Sequence, residues 1–331
     1  MVSKKYLQLT LKKAVIITLI FGVLACKQKL NNESSFEVIE NENIQIQKNQ
    51  IIFFSTRDGN QELYVMNQDG SNQQRLTYTQ GDESEAVFSP DGRYIAYSLQ
   101  QGKTTEIYLM NTDDKKSARL TNHNSFVNGS TWSPDGRHLA YHVWSRNDQD
   151  WKIFVIDMES ISRNYRPKLL GSGVYPSWSP DGNFIVYHMQ VDKKYTFTDG
   201  FHPLYSNWEI YRMKSDGSQK QNLTNHAAID LLPVWTPDGK QITFWSTREG
   251  YAELYQMKPD GTLLKRISNE AGRVKVDIIS RPAWSPDGTT IAIATEDSPG
   301  NFEIVLLDRA GGFRKKLTSN IADEFDPAWS Q

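Results

Sequence analysis

The chain has 331 residues and a formal net charge of −2, with acidic and basic side chains interspersed. That length accommodates one large all-β domain or two ordinary ones, and the charge pattern offers no basic face, so no nucleic-acid partner is expected. A single cysteine, Cys26, excludes an internal disulfide and any cysteine-cluster metal site.

The N-terminal segment reads as a targeting signal. Lys4, Lys5, Lys12 and Lys13 precede an apolar run from Ala14 to Ala25. Those twelve residues, at 1.5 Å each, are too short for a hydrocarbon layer of ~30 Å. A basic start, a short apolar stretch and small residues make a secretory signal peptide over 1–25. Val23-Leu24-Ala25-Cys26 then resembles a bacterial lipobox, which implies a fatty-acyl (palmitate-type) anchor on Cys26 as the mature N-terminus. Residues 26–48, polar and Asn/Glu-rich, read as a tether, because they bury too little apolar surface to offset the cost of ordering. The expected folded body is 49–331.

Within that body one phrase recurs. It stands as "FSPDG" at Phe88–Gly92, "WSPDG" at Trp132–Gly136, Trp178–Gly182 and Trp284–Gly288, and "WTPDG" at Trp235–Gly239. With the truncated "DPAWSQ" at the C-terminus, the hydroxyl residues 89, 133, 179, 236, 285 and 330 are spaced by 44, 46, 57, 49 and 45. Such periods indicate a propeller or another repeat array. Each unit continues with a short apolar strand ("YIAYS", 94–98), an alternating strand ("EIYLM", 106–110) and a brief fourth piece ending in "RLT" (119–121). Asp216-Gly217 and Asp260-Gly261 supply hairpin turns between the third and fourth pieces.

The first unit has "QIIFFS" (50–55), "ELYVM" (62–66) and "RLT" (75–77) but no opening strand, whereas the C-terminal "DPAWS" is an opening strand alone. Joined, they complete a blade. The predicted fold is therefore an all-β, six-bladed β-propeller of four-stranded blades, closed by the C-terminal strand completing the N-terminal blade. The unit "W-S-P-D-G…I-A-Y…E-I-Y-x-M…R-L-T" resembles the repeat of TolB-type, WD40-like propellers across residues 50–331. That resemblance implies the fold. For function it implies a range, from periplasmic interaction proteins to propeller domains of peptidases and polysaccharide lyases. TolB itself carries an α/β domain ahead of its propeller where this sequence has the tether, so an orthologous Tol–Pal role is not expected.

Residues repeated in every unit are assigned to structure. Asp91, Asp135, Asp181, Asp238 and Asp287 recur once per turn, and Trp132, Trp178, Trp235, Trp284 and Trp329 once per blade. No Gly-x-Ser-x-Gly elbow or phosphate-cradling glycine motif is present. The candidate site comes from residues that break the repeat. His142 and His188 hold the same register in adjacent units, with His123, His226 and His202 expected towards the same face. The long connection of the fourth unit contains Tyr195 and Phe201 and leads to Trp208, which is expected to be exposed. His142, His188, Tyr195, Phe201 and Trp208 are thus the expected ligand-binding set, around one depression at the channel mouth.

The leading expectation is a non-enzymatic, monomeric lipoprotein of the bacterial envelope, on the outer membrane, that binds a protein or glycan and carries no cofactor. The alternative is a carbohydrate-active enzyme, a metal-assisted lyase of uronic-acid polysaccharides. It needs a divalent metal near His142 and His188, and draws on Arg146, Lys193, Lys194 and Arg248 to hold carboxylated sugar.

Overall fold

The computed structural model describes residues 44–163, 166–191, 207–268, 280–298 and 300–330. Cys26 and the signal segment lie outside these residues, as do Tyr195, Phe201, His202, Lys193 and Lys194.

Six four-stranded antiparallel sheets form the blades. Blade 1 contains β1 (Gln50–Ser55), β2 (Glu62–Asn67) and β3 (Gln74–Arg75). Blade 2 contains β4 (Glu83–Phe88), β5 (Tyr94–Gln101), β6 (Thr104–Asn111) and β7 (Ser117–Arg119). Blade 3 runs β8 (Val127–Trp132), β9 (His138–Ser145), β10 (Asp150–Asp157) and β11 (Lys168–Ser172), with a 3₁₀ turn at Met158–Arg163. Blade 4 has β12 (Val174–Trp178), β13 (Phe184–Gln190), β14 (Trp208–Lys214) and β15 (Gln221–Asn222). In blade 5 are β16 (Asp230–Trp235), β17 (Ile242–Ser246), β18 (Glu253–Met257) and β19 (Lys265–Arg266). Blade 6 has β20 (Ala283–Trp284), β21 (Thr290–Ser298), β22 (Asn301–Asp308) and β23 (Phe313–Lys316), and β24 (Glu324–Trp329) returns to blade 1.

The opening phrase is a turn device. In all five complete turns the Ser or Thr hydroxyl donates to the Asp carboxylate two residues on, at 2.5–2.7 Å. The same carboxylate oxygen accepts the backbone N–H of the residue after glycine. The glycines hold φ from +67° to +74°, which a side chain would resist. The five aspartates are thus occupied by their own turns, as the repetition implies. The second strands that follow are apolar and almost wholly buried, as β17 is at every residue.

Tryptophans join neighbouring blades. The Trp235 indole N–H donates to the Ser177 carbonyl of blade 4 at 3.2 Å, and that of Trp329 to the Ala283 carbonyl of blade 6 at 3.1 Å. Buried glutamates at the start of third strands hold the connections between blades. Glu106 accepts the N–H groups of His123 and Asn124 at 2.7 and 2.8 Å, and Glu209 that of His226 at 2.8 Å. His123 and His226 therefore sit in structural connections.

The ring closes through β24. It pairs with β1 antiparallel, with Ile51 opposite Trp329 and Ser55 opposite Glu324. Ser330 N donates to the Gln50 carbonyl and Gln50 N to Ser330 Oγ, both at 2.8 Å, reproducing across the two ends of the chain the bonds made within each complete turn. Arg57 reaches Glu324 at 2.8 Å. Ile44 and Ile46, just ahead of the expected body, pack on the core shared by blades 1 and 2.

Deleting Asp326–Gln331 removes Trp329, only 7% exposed, with most of the inner strand of blade 1. Losing one buried tryptophan costs about 3–5 kcal/mol out of a typical ~5–15 kcal/mol. The melting temperature is expected to fall by about 10 °C or more, with aggregation through the bared edge. An unchanged thermal transition contradicts closure by β24.

Candidate functional site

The innermost strands share a backbone irregularity that the repeat does not announce. A bulge interrupts pairing between Ser84 and Val87 in β4, Asn128 and Thr131 in β8, Val174 and Ser177 in β12, and Leu231 and Val234 in β16. Opposite β24 the register shifts between Ile52 and Phe54. At the bulge Glu85, Gly129, Tyr175, Leu232 and Asp326 take φ of 56°, 65°, 51°, 54° and 46°. Left-handed backbone at a non-glycine residue costs about 1–2 kcal/mol, so the four such positions mark a feature held by its surroundings. In blade 3 glycine is required, because a Cβ on Gly129 would strike the His142 ring. Arg281 occupies the corresponding place in blade 6, three residues before Trp284.

These residues line the channel. Glu85, Tyr175, Arg281 and Asp326 are each half-buried, in reach of solvent yet ringed by protein. The Tyr175 hydroxyl donates to Glu85 Oε1 at 2.6 Å, and Gly129 N donates to Glu85 Oε2. Asp326 accepts the backbone N–H of Glu85. Arg281 extends from blade 6 to the far side, donating to the Ser130 carbonyl at 3.4 Å and to that of Pro176. No direct ion pair joins Arg281 to Glu85 or Asp326 among the described residues, so the three charges act on one another through space.

Desolvation dominates the electrostatics. It pushes Glu85 up to about 7, with the nearby Asp326 adding to the rise and the Tyr175 hydroxyl opposing it. Asp326 rises to about 6 for the same reason, held back by the Glu85 N–H and by Arg281. Burial drives His142 down to about 3, and the Arg281 charge adds to the fall. His188 is also driven well below its ordinary range, by burial first and then by His142 and Arg281.

The two in-register histidines stand behind this ring. His142 is 2% and His188 0% exposed. His142 Nδ1 accepts the N–H of Tyr175, and His188 Nδ1 that of Leu232, both at 3.2 Å. Each neutral imidazole thus satisfies the bulge N–H of the following blade, which fixes its other nitrogen as the protonated one. The Tyr175 ring lies between them, 4.8 Å from His142 and stacked at 5.4 Å on His188. Trp151 and Trp208 meet the outer edges of the histidines at 5.0 and 5.3 Å.

The structure therefore brings His142, His188 and Trp208 together, but in the wall. The exposure expected of Trp208 is not found: at 2% it is core, because β14 begins there and turns the indole onto His188. The residue these three present to the channel is Tyr175. Sequence reasoning missed Glu85, Tyr175, Arg281 and Asp326. Their signal lies three residues before each blade's aromatic, where the units read Glu, Gly, Tyr, Leu, Arg and Asp, followed by proline in four of the six. Arg146 and Arg248 are not ring members; Arg248 pairs with Asp230 at 3.1 Å. Among the described residues no three His, Cys, Asp or Glu side chains converge as metal ligands.

Fold and ring define a six-bladed β-propeller whose repeated residues build the scaffold and whose unrepeated ones line the axis. The TolB beta propeller domain model matches residues 45–199 and 125–330, and the chain belongs to that family. The Tol-Pal system protein TolB of Anaeromyxobacter dehalogenans is 31% identical over 126 residues, 37% of this chain and 26% of that protein. The match thus spans about a quarter of that curated relative's length. Among solved structures, TolB from Acinetobacter baumannii superposes with a TM-score of 0.70 at 19% identity, covering 85% of this chain and 66% of that one. An oligogalacturonate lyase in complex with manganese gives 0.54 at 14% identity, covering 81% and 73%. Likeness at these identities is likeness of fold.

The carboxyls and the histidines carry opposite linkage. Between about 4.5 and 7 folded Glu85 keeps a proton that the unfolded chain releases, so its contribution falls as pH rises. Between about 3 and 6.5 folded His142 refuses a proton that the unfolded chain takes, so its contribution is lost as pH falls. Glu85→Gln should therefore gain stability relative to the wild type between about pH 5 and pH 8, by on the order of 1–2 kcal/mol after allowing for channel water. Parallel pH profiles of unfolding for the two proteins contradict a raised Glu85.

Proposed function

We propose that this propeller is a non-catalytic binding scaffold of the bacterial envelope, held to a membrane through a lipid on Cys26. Its partner, a protein or glycan, engages the channel mouth at Glu85, Tyr175, Arg281 and Asp326. The observation that carries this reading is the ring itself. One backbone position, bulged alike in five blades, differs in residue from blade to blade, and its three polar side chains, with Arg281 at the matching place in blade 6, reach solvent. A scaffold role would repeat the residue, as the turn aspartates do; a ligand-facing role requires the blades to differ.

An envelope protein is the favoured partner, because the curated relatives include Tol-Pal system proteins. The lyase reading finds no comparable support. Both in-register histidines spend Nδ1 on backbone N–H groups. An outer-membrane address, an acyl group on Cys26 and a monomeric state complete the proposal. No helix among the described residues is long and apolar enough to cross a membrane.

Cys26→Ala should move the protein from the membrane to the soluble fraction, since a diacylated cysteine supplies the two chains that stable anchoring needs. Retention in the detergent-extracted fraction alone rejects the anchor. For the channel, Arg281→Ala should reduce photo-crosslinked partner in intact cells by about tenfold. Phe313→Ala, an exposed position on an outer strand, should leave it unchanged. Equal recovery from both variants rejects the channel as the binding surface.

A further inference from the structure

On the face formed by the Ser-Pro-Asp-Gly turns, a groove of about 620 Å³ opens between blades 3 and 4. Its chemistry can be read from the chain's own equivalent groove between blades 5 and 6. There Arg309 leaves the hairpin after β22, places its guanidinium 5.9 Å from the Trp284 ring, and bonds Asp238 Oδ2 at 2.8 Å. Asp238 keeps Oδ1 for its own turn, bonding Thr236 and the Lys240 N–H. Arginine, tryptophan and aspartate form one unit that fills the space between two blades.

Strand register identifies the matching residues without ambiguity. Thr290 pairs with Asp308, just before Arg309, and Phe184, at the same place in its unit, pairs with Lys214, just before Ser215. Trp178 corresponds to Trp284, Asp135 to Asp238, and Ser215 to Arg309. In the groove between blades 2 and 3 the same position is Met158, which packs into the cluster that contains Trp132. Ser215 is too short to reach across. Asp135 spends Oδ1 on Ser133 and the Arg137 N–H, as its counterpart does, and makes no other bond among the described residues. Trp178 remains partly exposed, with His138 beside it at 6.2 Å.

We propose that this groove is a docking site for an arginine side chain of a partner protein, which takes the place over Trp178 that Arg309 takes over Trp284. Charge agrees with a cation: Asp135, Asp181 and Asp216 line the groove against Lys168 alone, and Lys168 already donates to the Asp216 carbonyl at 3.0 Å. A planar guanidinium satisfies indole and carboxylate together, which an ammonium on a flexible stem does less well. The groove faces away from the ends of the inner strands that carry the bulges, so the site is independent of the channel reading.

The test uses the full chain in detergent and N-acetyl-arginine methylamide as probe, read through indole N–H resonances by nuclear magnetic resonance. Wild-type protein should show saturable shifts of one indole signal, assigned by its absence in Trp178→Phe, and the lysine analogue should bind roughly tenfold more weakly. Ser215→Arg should fill the groove from within, abolish those shifts and raise the melting temperature. Arg309→Ser should open the second groove and add shifts of the Trp284 signal. Should Ser215→Arg fail to fold, Asp135→Asn must weaken the probe by about tenfold instead. No saturable shift in the wild type, or unchanged binding in Ser215→Arg or Asp135→Asn, overturns the proposal.

Discussion

Everything in this molecule depends on the pairing of β24 with β1. A propeller blade buries its faces only against its two neighbours, so an open ring would leave two sheets half-covered and their edges bare. Here the constraint is met with unusual economy of sequence. Six residues of strand, the Ser330 bonds to Gln50 and the Arg57–Glu324 ion pair restore what a continuous turn supplies in the other five blades. Closure also brings Asp326 to the axis, beside Glu85 on one side and Arg281 on the other. The same strand that locks the fold therefore completes the polar ring.

Once the ring is shut, labour divides by repetition. Turn aspartates, blade tryptophans and third-strand glutamates recur because each blade poses the same mechanical problem. The bulge also recurs, but as backbone only; it aims whatever side chain it carries at the channel. A left-handed residue in each of five inner strands is tolerated because the N–H it turns away from the ladder is recaptured. His142 and His188 do this for Tyr175 and Leu232. This accounts for two deeply buried imidazoles with depressed basicity. They are acceptors, and an acceptor at Nδ1 must be neutral.

The fold was legible in the sequence because its signals are local and repeated. Proline, aspartate and glycine after an aromatic-hydroxyl pair specify a turn wherever they occur, and the missing first strand could be matched to a stray last one by inspection. The site was legible only in its neighbourhood. His142, His188 and Trp208 were correctly grouped on adjacent blades, yet their irregularity reflects support of the bulge. Trp208 reads as the end of a long aromatic-rich connection, whereas it opens a strand, and nothing in the linear sequence separates those two states. Glu85, Tyr175, Arg281 and Asp326 went unnoticed because a β-bulge has no compositional signature when the bulged residue is not glycine. Period-two reasoning assigns such residues to one face of a strand and cannot see that the extra residue turns them to the axis.

Blades 3 and 4 depart furthest from the repeat, and β12 carries the consequence at both ends. Tyr175 stands in the ring and Trp178 in the groove on the turn face, three residues or about 10 Å apart along one strand. Proximity alone does not couple two sites; a ligand at one must favour a conformation that the other distinguishes. Tyr175 has little freedom to supply one. Its N–H is tied to His142, its ring is held between two imidazoles that are themselves buried, and its hydroxyl is fixed on Glu85. Trp178, by contrast, sits at the end of the strand, where the Ser179–Asp181 turn is closed by its own bonds and does not lean on the channel. The strand therefore acts as a rigid spacer between two surfaces, and the geometry favours independent occupancy of channel and groove.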